Sequence, residues 1–305
     1  MRKKVIAVSV GLLFFALSIP AQAQPSTKLY RIGYLSPRKS IVLDWRFVSG
    51  KSNLFPDFAA ELVHLNVDAI VCQGIEATGA AKKASTTIPI VMSNADVDPV
   101  ELGLIASLAR PGGNVTGFTS ISSQLAGKRL ELLKEAVPKA SRIAIISRPR
   151  AVGGAAESHV KETEIAARAL GIQLQSLEAR GPEDLENAFR IARKNAQAMI
   201  VVATGGMIND QQRILDLVAK TRLPVMYTNP EPVITGGLMS YAADLPALAR
   251  GATEYVDRIF KGTKPADLPV QQPKKFEFVV NLKAAKQIGV TVPPNVLARA
   301  DKVIR

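Results

Sequence analysis

Few side chains in this sequence could support covalent or metal chemistry. The chain holds one cysteine, Cys72, and two histidines, His64 and His159. An intramolecular disulfide is therefore impossible, and so small a set disfavours a zinc site or a Cys/His nucleophile pair. The sequence has no Gly-x-Gly-x-x-Gly loop after its first predicted strand, no Gly-x-x-x-x-Gly-Lys-Ser/Thr loop and no Gly-x-Ser-x-Gly elbow. We expect no cofactor, no metal and no enzymatic activity, and an exported α/β enzyme is the second interpretation.

Candidate contacts for a small ligand come from other residues, placed where predicted strands end. In an open parallel sheet, ligands bind beyond the carboxyl ends of the strands. Ser36 and Ser147 hold equivalent places after the first strand of each half of the chain. Either hydroxyl could bind a ligand or close its strand through a local turn. The full set of predicted ligand-binding residues is Ser36, Gly74, Ile75, Glu76, Ala77, Thr78, Asp96, Asp98, Thr119, Ser147, Thr204, Gly205, Tyr227 and Tyr241.

The carboxylates in this set also have structural interpretations. Glu76 lies in the predicted first turn of a helix, where an acid stabilises the helix dipole and would repel an anionic ligand. The free N–H groups over Gly74–Thr78 could instead hold a ligand carboxylate. Asp98 precedes a predicted helix over Val100–Ala109 and is the better candidate for its cap. Asp96 is the freer acid, and it could pair with a ligand ammonium group.

The glycine and aromatic members have two interpretations as well. Thr204 and Gly205 belong to a stretch that could let the backbone approach a ligand or could form a tight turn. Tyr227 and Tyr241 could stack on an aromatic or apolar ligand, or pack inside the protein. Trp45 lies within a predicted strand and is expected in the core. Because only 5% of the residues are aromatic, a sugar, which needs several stacking rings, is a less favoured ligand.

The elements that position these residues repeat along the chain. Arg31–Ser36 resembles Arg142–Ser147, and both are continuous apolar runs that end in serine, as buried parallel strands do. Val67–Gly74 resembles Ala196–Val202 in the same way, and each is followed by a helical stretch and a strand entered through proline. Alternating strands and helices predict an α/β protein whose parallel sheets are covered by helices on both faces.

Helix boundaries follow from local signals. Gly181-Pro182, followed by two acids, predicts a helix start. Leu125–Val137 carries apolar residues at helical spacing and stops before a proline, and Asp244–Phe260 is followed by Lys261-Gly262, a basic and glycine-terminated end. A further helix is predicted over Gly154–Leu170.

The first half departs from this pattern at one place. Ser36 and the next predicted strand, Ile41–Phe47, are separated by residues 37–40. Adjacent parallel strands need a crossover of about a dozen residues or more, so the first half lacks its first helix. Either Ile41–Phe47 runs antiparallel to Leu29–Leu35 as a hairpin, or one of these strands leaves the sheet.

The N-terminus has the pattern of a secretory signal peptide. A basic start, Arg2-Lys3-Lys4, precedes an apolar stretch over Val5–Ile19, and Ala21-Gln22-Ala23 forms a small-x-small cleavage site. A membrane span would need about 20 apolar residues. We therefore predict that residues 1–23 are a signal peptide, removed after Ala23 to leave a soluble periplasmic protein.

The chain is strongly basic, with 39 Lys and Arg against 26 Asp and Glu and a net charge of +13. The cations are dispersed and are not interleaved with aromatic residues, whereas nucleic-acid binders concentrate them on one face. We interpret the charge as a solvated surface and expect no nucleic-acid partner.

From about residue 28 onward the chain resembles the substrate-binding proteins of ABC importers that have the type I periplasmic-binding-protein fold. The longest matching stretch is Ser107–Gly117. Shorter ones are Arg31–Ser36, Ala59–Val63, Ile88–Val91, Lys128–Glu135 and Gly236–Tyr241.

This resemblance implies two Rossmann-like lobes with parallel sheets and an interlobe cleft. Lobe one would comprise 28–117 plus 230–262, and lobe two 118–229 plus 263–305. It also implies delivery of a small organic solute to an ABC permease in the inner membrane. We expect the protein to be a monomer. Some relatives bind aromatic amino acids, so an amino acid or a related carboxylate is the expected solute class.

Some positions differ from the pattern of that family. Relatives often have Gly-Thr-Pro-Ala-Ala where this chain has Gly74–Thr78, and Asn-Pro where it has Arg148-Pro149. Relatives also usually carry the helix that is missing here. A degenerate paralogue that no longer binds ligand is therefore a further interpretation.

Overall fold

The computed structural model describes residues 4–9, 31–34, 41–48, 52–148, 154–202, 207 and 210–305. The chain divides into two compact units. Unit 1 takes Met1–Val48, Asn53–Thr119 and Leu248–Gln271, and unit 2 takes Ser49–Ser52, Ser120–Ala247 and Gln272–Arg305. Each unit contains one sheet with helices, so the predicted α/β class is confirmed.

Unit 1 contains a six-stranded sheet in the order β2-β3-β1-β4-β5-β6. Its helices include α1 (Phe55–His64), α2 (Ile75–Ala84) and most of α8 (Leu245–Phe260). The strands are β1 (Lys4–Ser9), β2 (Arg31–Tyr34), β3 (Ile41–Trp45), β4 (Ala69–Gln73), β5 (Ile90–Asn94) and β6 (Val115–Gly117).

Strand β1 occupies the middle of this sheet. It pairs in parallel with β3 on one side and with β4 on the other. The sequence pattern did not predict a strand here, because Lys4–Ser9 lies within the predicted signal peptide. Cleavage after Ala23 would therefore remove a central strand from the sheet of the full-length chain.

Of the two arrangements predicted for the next two strands, the structure shows the hairpin. Strand β2 pairs antiparallel with β3, with Arg31 opposite Asp44 and Tyr34 opposite Ile41. The link between Tyr34 and Ile41 is far too short for a parallel crossover, so the two strands run in opposite directions.

Unit 2 contains a seven-stranded sheet in the order β13-β12-β11-β10-β9-β7-β8. The pairs are parallel except for β11 with β12, which is antiparallel. The strands are β7 (Arg142–Ser147), β8 (Gln173–Glu178), β9 (Ala198–Val201), β10 (Val225–Tyr227), β11 (Met239–Ala243), β12 (Phe276–Asn281) and β13 (Lys302–Ile304). The helices are α3 (Ala126–Ala136), α4 (Ala155–Ala169), α5 (Pro182–Asn195), α6 (Gln211–Thr221), α7 (Glu231–Ile234), α9 (Leu282–Ile288) and α10 (Pro294–Leu297).

Both faces of the second sheet are buried. Along β7, Ile143 and Ile145 belong to one apolar cluster, whereas Ala144 and Ile146 belong to another. Successive strand residues point to opposite faces, so helices must cover both sides. This explains the continuous apolar run that predicted the strand.

The unit boundaries differ from the predicted lobe boundaries. Residues 230–247 lie in unit 2, because β11 pairs with β10. Residues 263–271 lie in unit 1, where the Thr116 hydroxyl donates to the Leu268 carbonyl at 2.6 Å and the Val270 N–H donates to the Leu108 carbonyl at 2.7 Å.

Five predicted helices are present, and one is not. The helix predicted to have Glu76 in its first turn appears as α2. The helices predicted to start near Leu125, Gly154, Gly181 and Asp244 appear as α3, α4, α5 and α8. The prediction over Val100–Ala109 is wrong, because turns occupy this stretch.

The reason lies in the local geometry around Asp98. Its carboxylate accepts the Val100 N–H at 2.8 Å, and the Leu104 N–H donates to the Pro99 carbonyl at 2.9 Å. Gly103 adopts a left-handed conformation, φ +64°. These contacts hold a turn, which a short polar side chain before proline favours over a helix. Asp98 therefore caps a turn and not the predicted helix.

Candidate functional site

The carboxyl ends of strands β4 and β5 meet at the start of α2. Gly74, with φ +83°, donates its N–H to the Asn94 carbonyl at 3.0 Å. The Thr78 hydroxyl donates back to the Gly74 carbonyl at 2.9 Å, inside the first turn of the helix. The side chains of Ile75, Ala77 and Thr78 are buried, and Glu76 is half-buried. Five residues of this turn were predicted to contact a ligand, and the side chains of Ile75, Ala77 and Thr78 pack inward. The backbone of the turn and the Glu76 side chain remain at the sheet edge.

Two further predicted residues join this edge of unit 1. Thr119 is 1% exposed and donates its hydroxyl to the Ala95 carbonyl at 2.8 Å. Asp96 follows directly and is half-buried. The Thr119 hydroxyl has used its proton, so it could offer a ligand only its lone pairs.

In unit 2, strand β7, which lies next to the edge strand β8, ends in a buried serine followed by an ion pair. Ser147 is 3% exposed, and its carbonyl accepts the Ala179 N–H at 2.9 Å. Arg148 Nε donates to the Ala179 carbonyl at 2.8 Å, and its Nη2 contacts Asp210 Oδ2 at 2.6 Å. Asp210 immediately precedes α6 and makes no side-chain hydrogen bond to that helix. At the position where relatives often have asparagine, this chain thus places a charged group that ties β7 to the start of α6.

Tyr227, the last residue of β10, lies beside the same helix. Its ring is 1% exposed and packs on Gly237, where an added Cβ would lie 2.5 Å from Tyr227 Cε2. Its hydroxyl is buried without a hydrogen-bond partner among the described residues, as is Asn229 Oδ1. Burial raises the pKa of this hydroxyl above its usual value, so it stays protonated. Both residues line a recess with room for no more than a water molecule, together with Val201, Met207, Gln211, Ile214 and Pro232.

Removing the Tyr227 hydroxyl gives a first prediction. Because a buried donor without a partner is destabilising, Tyr227→Phe should unfold at the same temperature as the wild type or a few degrees higher. Thermal unfolding measures this, with Tyr255→Phe as the matched control. The Tyr255 hydroxyl donates to the Pro269 carbonyl at 2.7 Å, so its loss should lower the unfolding temperature. A clear loss of stability in Tyr227→Phe would show that the hydroxyl has a partner.

The other predicted tyrosine lies inside a strand and not after one. Tyr241 is the third residue of β11 and is half-buried. Its ring stacks on Phe276, with 5.9 Å between ring centroids, and packs against the unit 2 core. The packing interpretation of this residue therefore describes its observed contacts.

Sequence reasoning missed the residue that joins these strand ends. Arg129, on α3, is 1% exposed. Its Nε donates to the Tyr241 carbonyl at 2.8 Å, and its Nη2 donates to the Thr228 carbonyl at 3.2 Å. Its Nη1 and Nη2 also donate to the Ser122 carbonyl and hydroxyl at 2.6 and 2.8 Å. The guanidinium thereby fixes the end of β10, the middle of β11 and the loop before α3.

The groups that accept hydrogen bonds from Arg129 are neutral oxygens. Burial lowers the pKa of Arg129 to about 9, and nearby Tyr241 partly offsets this, so the group is charged at neutral pH. Burial and the Arg129 charge lower the pKa of His159 to about 3, so its imidazole is neutral. His159 is 2% exposed, and its Nε2 has no hydrogen-bond partner within the described ranges.

The structure thus groups the predicted residues by unit. Gly74–Thr78, Asp96 and Thr119 lie at one edge of the first sheet, and Ser147 and Tyr227 lie at the strand ends of the second. Ser36, Thr204 and Gly205 lie outside the described residues. In the part of the chain that the structure describes, no three His, Cys, Asp or Glu residues cluster as metal ligands, and no helix combines the length and apolarity needed to cross a bilayer.

Comparison with known proteins gives consistent results. A tyrosine-binding protein of Clostridioides difficile strain R20291 is 26% identical over 257 residues, which cover 82% of this chain and 71% of that protein. A conserved domain protein of Vibrio cholerae has a TM-score of 0.80 at 26% identity, covering 88% of this chain and 89% of the other. The Streptococcus pneumoniae ABC domain in complex with L-Trp has a TM-score of 0.78 at 23% identity, covering 86% and 89%.

These structures share the fold, and the predicted type I periplasmic-binding-protein class is confirmed. The sequence profile of the family described as ABC transporter substrate binding protein matches residues 37–304. Members of this family bind solutes and are not enzymes. The match spans most of the chain, which therefore belongs to the ABC transporter substrate-binding protein family.

Proposed function

We propose that this chain is the exported solute receptor of an ABC importer and that it binds an amino acid or a related organic carboxylate. The family match over residues 37–304 is the observation that carries the proposal. The residues proposed to contact the solute are those at the strand ends of each unit. The proposed partner is a permease in the inner membrane.

The relatives support the solute class. One is named a tyrosine-binding protein, and the structure from Streptococcus pneumoniae contains L-Trp. Charge at the strand ends is compatible with a zwitterion, since Asp96 could pair with an ammonium group. Tyr227 offers a buried aromatic ring, although its present recess is too small to admit a side chain.

Export is the second part of the proposal. The basic start, the apolar stretch over Val5–Ile19 and the Ala21-Gln22-Ala23 site support cleavage after Ala23. Expression of the full-length gene in a bacterium, followed by mass spectrometry of the periplasmic product, tests this directly. We expect a mature chain that begins at Gln24, and a product that retains Lys4–Ser9 would contradict cleavage.

The binding test uses that processed protein. Thermal unfolding is followed with and without L-Trp, L-Tyr, other amino acids, simple carboxylates and sugars. A solute at about 100 times its dissociation constant stabilises the chain by about 2.7 kcal/mol, which raises the unfolding temperature by several degrees. A rise confined to amino acids or carboxylates is the expected result.

Other outcomes separate the alternatives. A cooperative transition that no compound shifts would favour a degenerate paralogue. A rise with sugars alone would refute the proposed solute class. Consumption of a stabilising compound would favour the exported enzyme.

A further inference from the structure

Arg129 is a buried cation, and its contacts with the described residues include no anion. It is 1% exposed, and its four hydrogen bonds to described residues go to neutral oxygens of Ser122, Thr228 and Tyr241. Among the described residues, no carboxylate forms an ion pair with it. A buried charge that lacks a counter-ion is strongly destabilising, so natural proteins usually pair it.

The surroundings of this cation are kept neutral as well. His159, whose pKa the Arg129 charge helps to lower, does not ionise at neutral pH. The hydrogen bonds of Arg129 satisfy the geometry of its guanidinium but leave its net charge uncompensated. A field of this kind acts over several ångströms in a low-dielectric interior.

The position of the guanidinium determines which strand ends lie closest to its positive charge. Thr228 is the first residue after β10, and its carbonyl accepts from Arg129 Nη2 at 3.2 Å. The charge therefore sits at the carboxyl end of β10, beside the strand ends where we propose that solute binds. Arg129 itself is too deeply buried to touch a solute, so any effect on binding acts through space.

We propose that Arg129 is the charge that selects anionic solutes: the carboxylate of the bound solute supplies the counter-charge that the protein omits. The inference rests on the proposed function. Arg129 is then a positioning and specificity-determining residue, and unit 2 is the part of the protein that recognises the solute carboxylate.

A substitution at Ser122 tests this while keeping Arg129 and its three backbone acceptors. Ser122 Oγ lies 2.8 Å from Arg129 Nη2, so Ser122→Asp places a carboxylate beside the cation. Ser122→Asn is the matched control, with nearly the same shape and no charge. Both variants keep Arg129 and all of its backbone acceptors.

The probes are L-tryptophan and L-tryptophanamide, which differ in the carboxylate. Dissociation constants are measured by titration calorimetry on the processed chain at about pH 6.5, where both α-amino groups are protonated. The wild type and Ser122→Asn should prefer L-tryptophan over the amide by the same factor. Ser122→Asp should lower that factor about tenfold, because the introduced carboxylate already neutralises Arg129 and the solute carboxylate then gains less by binding nearby. An equal preference in the two variants would overturn the inference.

Unfolding of the solute-free variants gives an independent readout. If the cation is uncompensated, Ser122→Asp should unfold about 2–4 °C above Ser122→Asn. Equal temperatures, or a lower one for the aspartate, would show that Arg129 is already balanced and would overturn the inference. A wild type that binds neither probe nor any other carboxylate would refute the proposed function. The unfolding temperatures of the two solute-free variants would still test whether the charge of Arg129 is uncompensated.

Discussion

Gly117→Ala is expected to destabilise the chain by about 4 kcal/mol. Gly117 ends β6 with φ +130°, and an added Cβ would lie 2.2 Å from the Met92 carbonyl oxygen and 2.5 Å from the Met92 nitrogen. These atoms belong to the paired strand β5, so neither can move without breaking the sheet. The conformation would also be strained for any residue with a side chain.

Urea unfolding measures this change, and the same motif supplies the control. A Cβ added at Gly113 would have no atom within 4 Å, and Gly113 has no left-handed φ. Gly113→Ala should therefore alter the free energy of unfolding by no more than about 0.5 kcal/mol. If both variants were equally stable, the close approach of β5 and β6 would be wrong.

Acidification should destabilise this chain through one histidine. The pKa of His159 is lowered to about 3 in the folded state, against an ordinary value of 6.5. Below pH 6.5, His159 therefore binds a proton in the unfolded chain but not in the folded chain. The free energy of unfolding consequently decreases as the pH falls below 6.5. From pH 7 to pH 5, His159 alone should remove about 2 kcal/mol from the free energy of unfolding.

The two histidines make a matched pair for this experiment. Urea unfolding is measured at both pH values for the wild type, His159→Gln and His64→Gln. His159→Gln should lose about 2 kcal/mol less than the wild type on acidification. His64→Gln, which replaces an exposed side chain, is the control for a change of residue type. An identical pH dependence in all three chains would mean that His159 is solvated.

Much of the fold follows from periodicity and short-range sterics. The run Arg142–Ser147 predicted a strand buried on both faces, and Gly181-Pro182 predicted the start of α5, where Asp184 Oδ2 accepts the Gly181 N–H at 3.2 Å. The short link after Tyr34 excluded a parallel β2–β3 pair, but it left open whether the two strands form a hairpin or one of them leaves the sheet. The helix predicted over Val100–Ala109 failed because Asp98 and Gly103 favour a turn.

The candidate site was harder to predict. The strand-end rule located Ser147 and Tyr227, but it could not tell that Tyr241 sits within β11 or that the Thr78 hydroxyl turns inward. Arg129 was missed because an arginine beside a lysine resembles a solvated helix face. One signal was available: Arg129 lies three and four residues before Leu132 and Leu133, so helical spacing places it on the apolar face of α3.

The most distinctive sequence motif also has a structural role. Within Ser107–Gly117, Asn114 Nδ2 donates to the Ser85 and Ile88 carbonyls at 2.9 and 2.8 Å, and Thr116 bonds to Leu268. These contacts fasten β6 to its surroundings in unit 1. The motif thus identifies the family through packing requirements, and it carries little information about the solute.

If the chain is exported as proposed, the central place of β1 sets folding and secretion in competition. A precursor that folds before translocation threads Lys4–Ser9 between β3 and β4, where a translocase that needs an extended leader has no access to it. Export of such a protein would depend on speed, with the leader captured while the sheet is still open. After processing, β3 and β4 would face each other across a gap one strand wide, and since both run in the same direction, their unpaired edges can join directly. The mature sheet would then be completed by direct pairing of β3 with β4, without the leader strand.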